Sequence, residues 1–293
     1  MHSAQAVVIG EKVYVGGGFT EKPDDKFQYN TSTNEWSRLP PHAVCYFAMA
    51  QFTGELITVG GQEQDSGPTG KVYRFKEESQ EWEEFLQPMP TARIYLTVAT
   101  TQSAIIASGG VTGFRDNNMP VLCATVEVYS TETSQWYTAD PLPLPSFLTT
   151  SVTIANTCYL LGGTDANKAP VTTVQYASLT SLIQKATSPT HESASPTSVW
   201  KTLPDTPLKM SAAVSLSGNL LAVGGREGKS TTQAVHLFFP LANSWVRITT
   251  KDLPQPRYCC TAAQLSSNTM IVIGGEDNKN SITETVFIGT VTV

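Results

Sequence analysis

A glycine doublet that ends a short apolar run, with a tryptophan after it, recurs along the whole chain. No other feature narrows the fold as far, because self-similarity at a fixed period means one small unit copied many times. The doublets are Gly17-Gly18, Gly60-Gly61, Gly109-Gly110, Gly162-Gly163, Gly224-Gly225 and Gly274-Gly275. The runs before them are KVYVG, LITV, AIIAS, YLL, LLAV and MIVI. Successive doublets lie 43, 49, 53, 62 and 50 residues apart. All five tryptophans follow doublets, and four sit seven residues after an aromatic: Tyr29 to Trp36, Phe75 to Trp82, Tyr129 to Trp136, Phe238 to Trp245. Only the fourth unit departs, with Tyr176 lying 24 residues before Trp200.

Each unit reads as four short strands. In the third, Arg93–Ala99 is an apolar first strand and Ala104–Ser108 a second, ended by the glycines. Ala124–Tyr129 alternates apolar and polar residues, as a half-exposed strand does, and Ser134–Thr138 is the fourth. Turn residues separate them. The doublet suits a place where second strands crowd an axis and the chain swings out with φ > 0. The tryptophan has the bulk to fill the space between sheets as they fan apart. Doublets and tryptophans are thus expected to be scaffold.

With its doublet, third-strand aromatic and tryptophan at a period near 50 residues, the chain resembles the kelch-repeat family over its entire length. The resemblance implies an all-β fold, a six-bladed β-propeller with four antiparallel strands per blade. The expected blades are 1–40, 41–88, 89–143, 144–206, 207–254 and 255–293 of one domain. Departures from the family pattern are visible. Its basic residue before the first strand appears only as Arg93 and Arg257, and its second-strand tyrosine only as Tyr14 and Tyr159. Counting seven from Phe287 puts the sixth tryptophan at position 294, so the sixth blade is expected to lack its outer strand. The readings are a three-stranded blade, a fold-back of Gly289–Val293, or, favoured, a longer parent protein with flanking domains.

Composition narrows the function classes. The formal charge is -6, from 25 acidic and 19 basic residues. A nucleic-acid binder needs the opposite balance to displace counterions. No apolar run approaches the ~20 residues of a membrane helix, and the first residues show no signal-peptide pattern. The five cysteines, Cys45, Cys123, Cys158, Cys259 and Cys260, have no disulfide-like or zinc-like spacing. They read as free thiols of a cytoplasmic protein. The sequon Asn30-Thr31-Ser32 carries little weight.

The resemblance implies that one mouth of the propeller binds the partner. It is lined by loops after the second strands and by segments leading into the first. The post-glycine residues are Phe19, Gln62, Val111, Thr164, Arg226 and Glu276. The leading segments supply His2, Tyr46, Arg93, Tyr95, Phe147, Lys209, Arg257 and Tyr258, and the long third-unit loop adds Phe114 and Arg115. Aromatics and arginines dominate binding energy at interfaces. Arg93, Arg226 and Arg257 together suit an acidic peptide, with Asp165, Glu227, Glu276 and Asp277 as opposing charges. The segment 180–198, with nine Ser/Thr in 19 residues and two Ser-Pro pairs, reads as a flexible insertion with a packed start at Leu179, Leu182 and Ile183.

The expected function is a non-catalytic protein- or peptide-binding module with no cofactor, no metal and no catalytic residue. By resemblance its setting is the substrate-recognition domain of a ubiquitin-ligase adaptor, or a scaffold. The alternative is a sugar-handling enzyme of mutarotase or oxidase type, since some kelch propellers are enzymes. Only His2, His42, His191 and His236 are available for a copper site, and no GxSxG, Walker loop or HExxH occurs.

Overall fold

The computed structural model describes residues 3–18, 25–64, 66–188, 198–249, 252–279 and 281–291. Strands dominate, and consecutive strands pair antiparallel in chain order. The first sheet is Gln5–Ile9, Lys12–Gly16, Phe27–Asn30 and Glu35–Arg38. The second is Ala48–Phe52, Glu55–Val59, Val72–Lys76 and Glu81–Leu86. The third is Thr97–Thr100, Ala104–Ser108, Val126–Ser130 and Gln135–Ala139. The fourth is Thr150–Ile154, Thr157–Leu161, Val174–Ser178 and Lys201–Leu203. The fifth is Ala212–Leu216, Asn219–Val223, Val235–Phe239 and Ser244–Arg247. The last has three strands among the described residues: Thr261–Gln264, Thr269–Ile273 and Val286–Thr290.

The register explains the seven-residue spacing. Tyr29 pairs with Trp36, Phe75 with Trp82, Tyr129 with Trp136 and Phe238 with Trp245. The two aromatics are direct cross-strand neighbours in a hairpin closed by a four-residue turn, with ring centroids 5.1 to 5.5 Å apart. The same register corrects the count from Phe287. The aromatic stands opposite the residue four before the doublet, as Ile105 faces Tyr129. In the last sheet that residue is Met270, and it faces Gly289. Phe287 instead occupies the place of Glu127, opposite the residue two before the doublet.

The core is distributed over the contacts between sheets. Ala50, Ile57 and Val59 of the second sheet meet Val98, Ile105 and Ala107 of the third. Val128 and Ala139 of the third meet Leu160 and Ala177 of the fourth. Val214 and Val223 of the fifth meet Ala262 and Val272 of the last. Val13, Val15 and Tyr29 of the first sheet meet Ala263, Ile271 and Ile273 of the last. The series of sheets therefore returns on itself. The first strands stand innermost and contact one another around the axis.

Two expectations need correction. The innermost strands are the first ones, not the second, so the doublets lie away from the axis. The 180–198 segment begins as a helix, Leu179–Thr187. Ser178 caps it by accepting from Ser181 N, and Leu179, Leu182 and Ala186 bury one face against the third and fourth sheets. Trp200 joins that cluster, which is why the fourth unit breaks the spacing. The remainder of the insertion, 189–197, lies outside the described residues, as do Phe19, His2 and His191. Among the described residues no helix is long and apolar enough to cross a membrane.

Candidate functional site

The segments that lead into the first strands share one backbone device. Ser3, Tyr46, Tyr95, Leu148, Met210 and Cys259 occupy the same place in successive sheets, and each has φ between 52° and 56°. Such a left-handed conformation is strained for a side-chain-bearing residue and persists only where the surroundings fix it. Here backbone hydrogen bonds fix it. Tyr95 N donates to Tyr46 O at 2.9 Å, Leu148 N to Tyr95 O at 3.2 Å, Cys259 N to Met210 O at 2.9 Å and Ser3 N to Cys259 O at 2.7 Å. The result is a belt that ties neighbouring sheets together at one end of the axis. It also delays the third sheet's first strand to Thr97, four residues later than its sequence suggests.

Just before the belt, each leading segment pairs with the residues after a doublet. Cys45 pairs with Gln62, Ile94 with Val111, Phe147 with Thr164, Lys209 with Arg226 and Tyr258 with Glu276. The doublet makes this possible. Gly110 has φ +91°, and a Cβ there would stand 2.5 Å from Ile94 O. Gly61 has φ +106° and the same conflict with Cys45 O at 2.6 Å. Any side chain would separate the paired segments.

The rim carries two distinct clusters. Tyr46, Tyr95 and Phe147 form an aromatic arc, with centroids 4.9 Å and 6.0 Å apart. Burial pushes the Tyr95 hydroxyl well above the ordinary phenol range, so it stays protonated. Across the mouth, Arg226 stacks 3.8 Å over the Tyr258 ring, and the Tyr258 hydroxyl donates to Glu276. Burial and that carboxylate push the Tyr258 hydroxyl up to about 12. Beyond the rim, the hairpin of Val111–Phe114 with Pro120–Leu122 lifts Phe114 and Arg115 into solvent, Phe114 being 51% exposed.

Arg93 and Arg257 do not belong to this surface. Arg93 is 0% exposed and Arg257 1%. Arg93 donates to the main-chain oxygens of Thr125 and Ala107 and pairs with Glu127 at 2.8 Å. Glu127 also accepts from Thr91 N and Thr91 Oγ1. Arg257 donates to Gly274 O and Thr285 O, and its guanidinium stacks 4.0 Å over Phe287. A guanidinium satisfies several buried carbonyls at once, and that is its work at both places. Of the three arginines expected to read an acidic peptide, Arg226 alone stands at the mouth. Gln62, Thr164 and Lys209 are there too, half-buried.

Below the belt lies a cavity of about 450 Å³, lined by first strands from around the ring. Among the described residues no group of three or more His, Cys, Asp or Glu side chains is placed to share a metal ion. Sequence reasoning found the pairing of leading and post-glycine segments but missed the belt. Serine, tyrosine, leucine, methionine and cysteine fill its equivalent positions, so residue type carries no signal for it.

Comparison with known proteins agrees with this architecture. A family model described as "Kelch motif" matches residues 1–42 and 92–143. The chain is 28% identical over 185 residues to Kelch-like protein terF of Aspergillus terreus, covering 59% of this chain and 40% of that protein. It is 28% identical over 137 residues to human Kelch-like protein 33, covering 45% and 24%. The chain spans less than half the length of the curated relatives it matches. The solved structure titled "Structure of YjhT" superposes with a TM-score of 0.75 over 99% of this chain and 95% of that one, at 14% identity. Repeat spacing, cross-strand register and these matches converge: the chain belongs to the kelch-repeat family.

Proposed function

We propose that residues 1–293 form one closed six-bladed kelch propeller, with the blade limits read from the sequence, and that its mouth is a non-catalytic surface for a protein or peptide. The observation that carries this reading is the rim itself. Separate blades bring Tyr46, Tyr95 and Phe147 into one aromatic arc facing the Arg226–Tyr258–Glu276 cluster. Large rigid rings beside an arginine are the composition of binding hot spots. With Arg93 and Arg257 buried, the ligand is recognised mainly through aromatic contact and one stacked cation rather than through a field of positive charge. Such a surface suits the substrate-recognition part of a larger cytoplasmic adaptor, or a scaffold. What weighs against the mutarotase or oxidase alternative is the cavity lining, whose carboxylate, imidazole and amine side chains number none among the described residues.

The test is selection of peptides on the immobilised protein, followed by titration against two rim variants. Phe147→Ala and Arg226→Ala are each expected to weaken a selected peptide at least tenfold, the ordinary cost of losing a hot-spot side chain. Peptides bound equally by wild type and both variants would place the binding surface elsewhere.

A further inference from the structure

The cavity beneath the mouth has a lining with an unusual balance. It contains no Asp, Glu, Lys, Arg or His among the described residues. Its polar groups are hydroxyls and amides. Several already serve the ring. Gln5 accepts from Met49 N at 2.7 Å and donates to Leu96 O at 3.1 Å, joining three sheets. Ser151 donates to Val98 O at 3.2 Å, and Thr100 to Gln51 O at 2.7 Å. Ser211 is different. It is 6% exposed, it lines the cavity, and its Oγ has no hydrogen-bond partner. Thr150, Thr153 and Thr261 add further hydroxyls to the wall. The Cys260 thiol, pushed up to about 12 by burial, is neutral.

This lining selects a ligand class by exclusion. An ion entering it leaves water without meeting an opposite charge, which costs several kcal/mol. A hydrocarbon leaves hydroxyls such as Ser211 unsatisfied. A neutral molecule with hydroxyls on its edge and C–H groups on its faces meets both demands. Its hydroxyls exchange hydrogen bonds with the serines and threonines, and a C–H face rests on Tyr95, which lines the same cavity. A volume of about 450 Å³ lies within the range of small-ligand pockets. We propose that the channel is a binding site for a neutral monosaccharide or cyclic polyol, with Ser211 as a direct hydrogen-bonding contact. This does not rest on the protein-binding reading, because the two use different walls: the Ser211 hydroxyl below, Phe147 and Arg226 at the rim.

The experiment is calorimetric titration of the full chain with D-glucose, D-galactose and myo-inositol, beside glucuronate and glucosamine as charged counterparts. Saturable binding of at least one neutral probe is expected, with each charged counterpart at least tenfold weaker. Ser211→Ala is expected to weaken it about five- to tenfold, the loss of one neutral hydrogen bond. Phe147→Ala is expected to leave it unchanged. Thr150→Val provides a second reading of the wall should Ser211→Ala lower the melting temperature. Failure of all three neutral probes to saturate, a charged counterpart binding as tightly, or wild-type affinity in both wall variants would overturn the proposal.

Discussion

His42 shows what a single buried side chain contributes. It is packed edge-on against Phe47, Tyr73 and Trp82, with ring centroids 5.6, 4.6 and 4.7 Å away. Its Nδ1 lies 3.1 Å from Val44 O. Burial, helped by the charge of Lys26, lowers its pKa from 6.5 to about 3. Above pH 6.5 the imidazole is neutral folded and unfolded, and no stability depends on it. Below that, the unfolded chain takes up a proton that the folded chain refuses, so stability falls until about pH 3. At pH 4.5 the loss is about 3 kcal/mol. His42→Gln is expected to shrink the difference between urea stabilities at pH 7 and pH 4.5 by that order. An unchanged difference would mean that His42 does not titrate in this way. Legibility in the sequence is uneven at this scale. Arg93, Arg226 and Arg257 look alike as letters. Only their setting separates the two that satisfy interior carbonyls from the one that stacks at the rim.

At the scale of the element, the tryptophan does more than fill space. Trp82 Nε1 donates to Pro40 O at 3.3 Å, Trp136 to Gln87 O at 2.9 Å, Trp200 to Asp140 O at 3.0 Å and Trp245 to Pro204 O at 3.0 Å. Every acceptor lies just past the fourth strand of the preceding sheet. The repeat is thus also a set of latches between neighbours. Trp36 faces the last sheet, which has no fourth strand among the described residues, and it is 41% exposed. Trp136→Phe is expected to cost about 1 kcal/mol more than Trp36→Phe in urea denaturation, the net value of one hydrogen bond. Equal costs would remove the latch interpretation. The strands themselves were readable because a cross-strand pair leaves a fixed spacing in the sequence. The helix Leu179–Thr187 was only partly so, since Ser and Thr dominate the segment and its buried Leu179, Leu182 and Ala186 gain meaning from the two sheets they meet.

Over the whole molecule, the contacts between sheets form a circle, and its cooperativity depends on the weakest arc. Val126–Ser130 has a hydrogen-bonded neighbour on each side, Ala104–Ser108 and Gln135–Ala139. Val286–Thr290 has one, Thr269–Ile273, and Ile288 on it is 51% exposed. Alternate amides of an antiparallel strand point to opposite sides. Half of those in Val286–Thr290 therefore face away from their only partner among the described residues. The apolar packing of Val13, Val15 and Tyr29 on Ile271 and Ile273 still holds this arc shut, and Ser3 N to Cys259 O adds a backbone link. Burial thus closes the ring while the hydrogen-bond ladder stops short. Native-state hydrogen exchange separates the two contributions, because an amide without a ladder partner exchanges without global unfolding. The outward amides of Val286–Thr290 are expected to exchange at least a hundredfold faster than those of Val126–Ser130, a difference of about 3 kcal/mol in opening free energy. The inward amides, bonded to Thr269–Ile273, are expected to stay near the protection of the third sheet. Uniformly high protection across Val286–Thr290 would show that its outer edge is covered in solution, and uniformly low protection that the apolar seam does not hold.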